Sequence, residues 1–376
     1  MKSRTSKKTV CQVVHSLRVG GAELLVANLS RQLSSQFHFV FACLDELGTI
    51  GNQLIQEGHK VEVFSRRPGL DWRCSLQLAR FLRANRVSLI HAHQYTPFFY
   101  GVAARFTYSH PAILFTEHGR HFPDYPRRKR ILFNRLALTK RDRAVGVGQA
   151  VRQALIDNEG IRPGSVSVIY NGIDLQPYQN GSPDRSLVRK EMGIEPGEFA
   201  IILVARMDYL KDHATAIRTL ANLRARTVNA KLILVGEGPE LGKVEEQTRT
   251  LGMSGDVRFL GLRNDVPRLL SAVDLFLLTS ISEGIPLTVI EAMAAGLPVV
   301  GTRVGGMAEV VEEGKTGLLA PSGDDAGLAD HVERLALDPN LGSQMGACGK
   351  ERAYSSFSLE RMATQYRQMY QEQMKD

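Results

Sequence analysis

Short apolar runs rich in β-branched residues alternate with longer amphipathic stretches along most of the chain, and the alternation occurs as two successive series. The first comprises residues 10–14, 37–43, 60–64, 88–91, 112–116, 144–147 and 166–169. The second comprises residues 199–205, 231–235, 257–260, 275–278 and 298–301. Apolar strands separated by helix-length segments need crossover connections, and so imply parallel sheets covered by helices. A length of 376 residues also exceeds what one compact core usually holds. The expected fold is α/β, with two Rossmann-like, doubly wound domains over residues 1–176 and 177–356. Between the series lie Asn171-Gly172-Ile173-Asp174 and Asn180-Gly181-Ser182-Pro183, residue types that favour turns and a hinge. In the tail, residues 357–376, Leu359, Met362, Tyr366, Met369 and Tyr370 fall at helical spacing. That helix could pack on either domain, crossing back to the first being one arrangement.

Composition narrows the class. At 43% hydrophobic and 23% charged residues, with no low-complexity tract, the chain reads as globular. Cys11, Cys43, Cys74 and Cys348 show no metal-ligand spacing, so reduced core thiols are expected. The basic start is followed by an apolar stretch that His15 and Arg18 interrupt too soon for a signal peptide, and no apolar run reaches membrane-spanning length. A cytoplasmic protein is expected, with the inner membrane face as a place of peripheral contact. Residues 1–180 carry 25 Lys+Arg against 12 Asp+Glu, whereas the remainder carries 22 against 27. The basic first half fits either an anionic partner or a plain solvated surface. Nucleic acid is not expected, because no aromatic-studded basic motif accompanies the charge.

The strongest local signal is the segment Ser282-Glu283-Gly284-Ile285-Pro286-Leu287-Thr288-Val289-Ile290-Glu291. Its Gly-Ile-Pro turn should open a helix whose free N–H groups, at Ile285, Leu287 and Thr288, can face a diphosphate without a metal. Glu291, about two turns on, can accept hydrogen bonds from vicinal hydroxyls such as those of a ribose. A pair of solvent-facing or capping glutamates is the plain alternative. At the first βα turn, Gly20 and Gly21 could likewise let a helix N-terminus meet an anion, or merely make a tight turn. The turn lacks the dinucleotide fingerprint, which argues against a dehydrogenase.

With Glu283 and Glu291 eight positions apart, the segment resembles the E-x7-E signature of retaining glycosyltransferases, in particular glycosyltransferase family 4. The resemblance extends over the whole chain and implies the GT-B fold, its two domains facing across a cleft, the first holding the acceptor and the second the nucleotide-sugar donor. It implies that Glu283 binds sugar hydroxyls beside the backbone of Gly284, Ile285, Pro286 and Leu287, and that Glu291 binds the ribose. Arg206 and Lys211, in Arg206-Met207-Asp208-Tyr209-Leu210-Lys211-Asp212, resemble the cation pair that neutralises the donor diphosphate. Two cations at the carboxyl edge of a parallel strand sit where open α/β sheets bind ligands. Asp212 stands where the family usually has Gly, which bears on the local loop geometry. Gly236-Glu237-Gly238-Pro239 resembles a glycine turn of the donor site, and the segment holding Arg263 resembles the one lining the nucleobase. A tight turn and an exposed loop are their bland readings.

Thr116-Glu117-His118-Gly119 resembles the family's histidine motif, in which the imidazole lies beside the donor sugar; His93, ending the preceding strand, is expected in the same cleft. His91 and His93 could ligate a metal, yet no third ligand is evident, and no Asp-x-Asp occurs. Neither metal nor cofactor is expected. The implied function is retaining transfer of a sugar from a nucleotide diphosphate, UDP favoured and GDP an option, to a saccharide or lipid-linked hydroxyl acceptor of envelope or polysaccharide synthesis. The alternatives are a non-catalytic nucleotide-sugar-binding protein, or a phosphorylase or epimerase on the same fold. Arg127-Arg128-Lys129-Arg130, continued by Arg135, Lys140, Arg141 and Arg143 with Ile131, Leu132, Phe133 and Leu136 between, could dock on an anionic membrane or be a core-packed helix with a charged outer face.

Overall fold

The computed structural model describes residues 7–107, 111–119, 124–179 and 184–375. The tract Asn180-Gly181-Ser182-Pro183 lies outside the described residues. The chain divides into two compact units, residues 1–172 with 359–376, and residues 173–358.

In the first unit seven strands form one parallel sheet: β1 (Thr9–Ser16), β2 (His38–Glu46), β3 (Lys60–Val63), β4 (Val87–His93), β5 (Ala112–Glu117), β6 (Arg143–Gly146) and β7 (Val166–Val168). Their order is β3-β2-β1-β4-β5-β6-β7, so the direction of winding reverses between β1 and β4. Strands buried on both faces need apolar side chains throughout, as in β2, where six consecutive residues from Phe39 to Leu44 are buried. The exceptions are informative. Gln12 in β1, His91 in β4 and Thr116 in β5 are fully buried polar residues in a mostly apolar sheet, and a buried polar group must find partners.

Helix Leu359–Gln373 belongs to this unit, burying Met362, Ala363, Tyr366 and Tyr370 against it. Gln373 Nε2 donates to Ile113 O of β5 at 3.0 Å, tying the helix end to the sheet.

The second unit has six parallel strands: β8 (Phe199–Val204), β9 (Ala230–Val235), β10 (Val257–Phe259), β11 (Leu275–Leu278), β12 (Val299–Thr302) and β13 (Gly317–Ala320). Their order, β10-β9-β8-β11-β12-β13, puts the reversal between β8 and β11. Strand β13 is absent from the sequence-based series: its four residues follow Gly314 and open on Gly317, which read as a turn. Gly317 is required there, since a Cβ would stand 2.3 Å from Val299 O. Both units are thus doubly wound, and each offers the ligand-binding position of such sheets, the crevice at the strand carboxyl ends where the winding reverses.

Candidate functional site

In the second unit the carboxyl ends of β8 and β11 bring together residues 72 positions apart. Lys211 follows β8 by a turn of 3-10 helix, Tyr209–Lys211, which Asp208 caps by accepting from Leu210 N. Glu283 lies in the loop after β11. Lys211 Nζ donates to Glu283 Oε1 at 2.6 Å, and Ser280 Oγ donates to the same oxygen at 2.6 Å. Backbone and hydroxyl bonds hold the two loops in register: Ile281 N donates to Leu210 O at 2.7 Å, and Thr279 Oγ1 donates to Asp212 O at 2.8 Å.

Asp212 adopts left-handed backbone, φ 44° and ψ 54°. That conformation explains why glycine suits the position, and an aspartate tolerates it better than most residues. Its carboxylate in return caps helix His213–Ala225, accepting from Thr215 N at 3.2 Å.

Arg206 is exposed and forms no ion pair with any described residue. The adjacent glycine turn approaches it closely: a Cβ on Gly236 would meet Ala205 O at 2.0 Å, and one on Gly238 would meet Met207 O at 2.3 Å. Only glycines allow this contact. Gly236 N donates to Gly261 O at 2.8 Å, joining the ends of β9 and β10. Arg263 is engaged locally, its guanidinium bidentate to Asp265 at 2.7 Å for both bonds. Nη1 is unused by these two bonds, so the guanidinium keeps N–H donors as well as its planar face for a ligand.

After Glu283 the chain turns into helix Leu287–Ala294, whose N-cap, Pro286, has no side chain to satisfy the first N–H groups. Leu287 and Thr288 therefore present backbone donors at a positive helix end. Ile285 lies ahead of the helix and is buried, so it contributes to the turn that precedes the helix. Gly305 and Gly306 complete this corner, a feature the sequence reading did not single out. A Cβ on Gly306 would stand 1.7 Å from Gly284 O, and Gly306 N donates to Glu283 O at 3.3 Å. The Gly-Gly pair between β12 and helix Met307–Val310 was the available signal.

Glu291 projects from the same helix without a hydrogen-bond partner among the described residues, and burial raises its carboxyl to about 7. Tyr178 lies near it. A cavity of about 680 Å³ at the amino ends of β8, β11 and β12 occupies the opposite edge of the sheet. There Arg185 and Arg189 are already paired with Asp274.

The first unit gathers three histidines at the carboxyl ends of β4 and β5. His93 Nδ1 lies 2.9 Å from His118 Nε2, and His93 Nε2 lies 2.7 Å from Gln12 Oε1 on β1. His91 Nδ1 meets Tyr370 OH at 2.6 Å and its Nε2 meets Thr116 Oγ1 at 2.8 Å. All four ring nitrogens of His91 and His93 thus have partners, leaving no converging lone pairs for a metal ion. Burial pushes all three imidazoles below their usual range, His118 to about 4. Gln94, next to His93, has φ 71° and ψ 166°, a strained backbone conformation. Its N–H bond to Thr116 O at 2.8 Å holds β4 and β5 together there.

At the first βα turn, Gly20 precedes helix Gly21–Leu33 in extended conformation. The Glu23 carboxylate packs over it, 2.3 Å from where a Cβ would stand. Burial raises the pKa of Glu23. The helix end expected to face an external anion through Gly20 and Gly21 thus already carries an acid of its own.

Comparison with known proteins follows these two halves. Residues 19–177 match the model of Glycosyltransferase Family 4, and residues 184–352 match that of Glycosyl transferases group 1. The chain is 35% identical over 230 residues to N-acetyl-alpha-D-glucosaminyl L-malate synthase of Bacillus anthracis, covering 60% of each protein. It is 30% identical over 258 residues to D-inositol 3-phosphate glycosyltransferase of Salinispora arenicola, covering 65% of this chain and 57% of that protein. These matches span about three fifths of the relatives' length. Among solved structures, Anabaena Alr3699/HepE in complex with UDP-glucose superposes with a TM-score of 0.83 at 25% identity, covering 96% of this chain and 98% of that one. A glycosyltransferase from Rickettsia africae gives 0.86 at 20% identity, covering 99% and 100%.

Proposed function

The chain belongs to glycosyltransferase family 4, with the GT-B fold, and from that premise we propose that it transfers a sugar from a nucleotide diphosphate to a hydroxyl acceptor with retention of configuration. The observation that carries this reading is the Lys211–Glu283 pair at the winding reversal of the second unit. An ammonium, an exposed guanidinium at Arg206 and an uncapped helix end at Leu287 and Thr288 are suited to a diphosphate. Carboxylates at Glu283 and Glu291 are suited to the hydroxyls of the sugar and ribose.

In this reading the donor lies in the second unit. Arg206, Lys211 and the helix N–H groups take up the charge that develops on the departing diphosphate. The acceptor O–H attacks the anomeric carbon from the face the diphosphate leaves. The C–O bond to phosphate breaks, and the proton passes to a phosphate oxygen. No metal ion is needed, because fixed cations and backbone donors stabilise the leaving group. UDP is the favoured nucleotide, in keeping with the UDP-glucose complex of the Anabaena protein. The relatives' names point to N-acetylglucosaminyl transfer and to small hydroxyl-bearing anions as acceptors, chemistry that suits a basic first unit as well as a lipid-linked saccharide does.

A second property of the first unit concerns membranes. Helix Arg128–Ala137 exposes Leu132 and Leu136, 62% and 79% accessible and one helical turn apart. Arg128, Lys129 and Arg135 are exposed on the same short helix. Exposed leucines framed by cations are the composition of an interfacial helix, and we propose peripheral contact with anionic bilayers through it.

The donor reading is tested by thermal unfolding of the full chain with UDP, GDP, ADP and their sugars, with and without chelator. A diphosphate at about 100 times its Kd adds about 2.7 kcal/mol, worth roughly 5–10 °C in a unit of this size. One selective shift that survives the chelator is expected. No shift with any nucleotide sinks the donor site, and a strict need for a divalent ion sinks the metal-free account.

A further inference from the structure

We propose that Gln12 is a positioning residue: through His93 it holds His118 in the tautomer protonated on Nε2, so that a bare Nδ1 is offered to a neutral hydroxyl of the substrate. The claim deepens the reading of His118 as a substrate-contacting group and rests on it.

Ser30 has one hydroxyl proton, which it donates to Val26 O at 2.8 Å. Its oxygen can then only accept, and the Gln12 atom facing it, 3.4 Å away, must be the amide nitrogen. The same nitrogen lies 3.4 Å from Tyr370 OH. Gln12 Oε1 is therefore turned to His93, 2.7 Å from Nε2, and being acceptor-only it requires a proton on that nitrogen.

His93 is buried and neutral, its pKa lowered first by burial and then by His91 and His118. A neutral imidazole carries one proton, so His93 Nδ1 is a bare lone pair. His118 Nε2, 2.9 Å from it, must then be the donor. His118 is itself neutral through burial, which leaves its Nδ1 unprotonated. That atom is buried and has no hydrogen-bond partner among the described residues.

An unpaired lone pair at the carboxyl end of β5 discriminates by chemistry. It accepts from an O–H donor, whereas phosphate and carboxylate oxygens are acceptors and are repelled. The group bound by His118 is thus a hydroxyl, as saccharides supply. Protonating His118 would reverse the preference, and Gln12 opposes this by keeping the network in its neutral register.

The test is the histidine tautomers of the ligand-free full chain, read from long-range proton–nitrogen correlation spectra of protein labelled with 15N-histidine at neutral pH. The His118→Gln variant assigns the signals. Expected in the wild type is a single Nε2–H form for both His93 and His118. Gln12→Met offers His93 no acceptor and should leave both rings in mixed tautomers. With the nucleotide sugar found by the thermal test, kcat should fall about 10- to 100-fold, the range that applies when a residue orienting a metal-ligating histidine is lost. A wild-type His118 protonated on Nδ1 overturns the proposal, and so does a Gln12→Met chain with unchanged tautomers or unchanged kcat. Should Gln12→Met fail to fold, the wild-type spectrum still decides. If the wild type transfers no sugar at all, the glycosyltransferase reading fails while the spectra judge Gln12 independently.

Discussion

Acidification should destabilise the first unit through its buried imidazoles, and His118→Gln measures one share of the effect. His118 has an ordinary value of 6.5 and in the folded chain about 4. Its folded pKa lies below the unfolded one, so the unfolded chain takes up a proton that the native state resists. The contribution is therefore complete above pH 6.5 and is lost as pH falls toward 4. Between pH 7 and pH 5 one such group removes up to about 2 kcal/mol, at 1.36 kcal/mol per pH unit of differential protonation. His91 and His93 are shifted in the same direction by burial and add to the loss. The sum is a large part of a stability that for most domains is only about 5–15 kcal/mol. Urea unfolding followed by the fluorescence of Trp72, the chain's single tryptophan and part of the first unit, provides the readout. His118→Gln keeps a donor for His93 and removes one titration, so its loss between pH 7 and 5 should be smaller by about 2 kcal/mol. Equal losses in the two proteins would refute the assignment of His118 as a buried neutral base.

Two further outcomes are expected. The Glu291 carboxyl, raised to about 7 by burial, should be drawn into the ionised form by ribose hydroxyls. Nucleotide affinity measured calorimetrically should then rise as pH increases from 6 to 8, and Glu291→Gln should lack that component; identical pH profiles exclude the contact. The full chain should cosediment with vesicles containing anionic lipid at low salt and be released as salt screens the attraction. Leu132→Glu together with Leu136→Glu should weaken this several-fold, and equal binding to neutral vesicles would rule out the basic helix as its cause.

Most of the fold was legible because strands buried on both faces leave unbroken apolar runs, as residues 39–44 and 232–235 do. Strand β13 was not, since four residues beginning at a glycine carry too little periodicity. The site was legible unevenly. No spacing rule connects Lys211 to Glu283; the two meet only because β8 and β11 are neighbours at the winding reversal, and resemblance supplied what local pattern could not. Gln12 was hidden for the same reason. In β1 it reads as one polar residue in an apolar strand, and its meaning lies in Ser30, His93 and Tyr370, which sequence separates by 18, 81 and 358 positions. Arg263 was singled out for its segment, while its engagement by Asp265 two residues on became evident only from the geometry.

The last helix of the chain completes the first unit. Tyr366 and Tyr370 close over Thr116, His91 and Gln12, yet all of residues 173–358 must be synthesised before they exist. At about 5–20 residues per second, the ribosome holds back the closing piece for roughly 10 to 40 s after residue 172 has been added. Throughout that interval Gln12 and His91 lack their tyrosine partners, and the apolar floor beneath helix Leu359–Gln373 stays open. The unit made first is thus the one finished last, and a chain cut short before Leu359 would carry a complete second unit beside a first that lacks its closing helix.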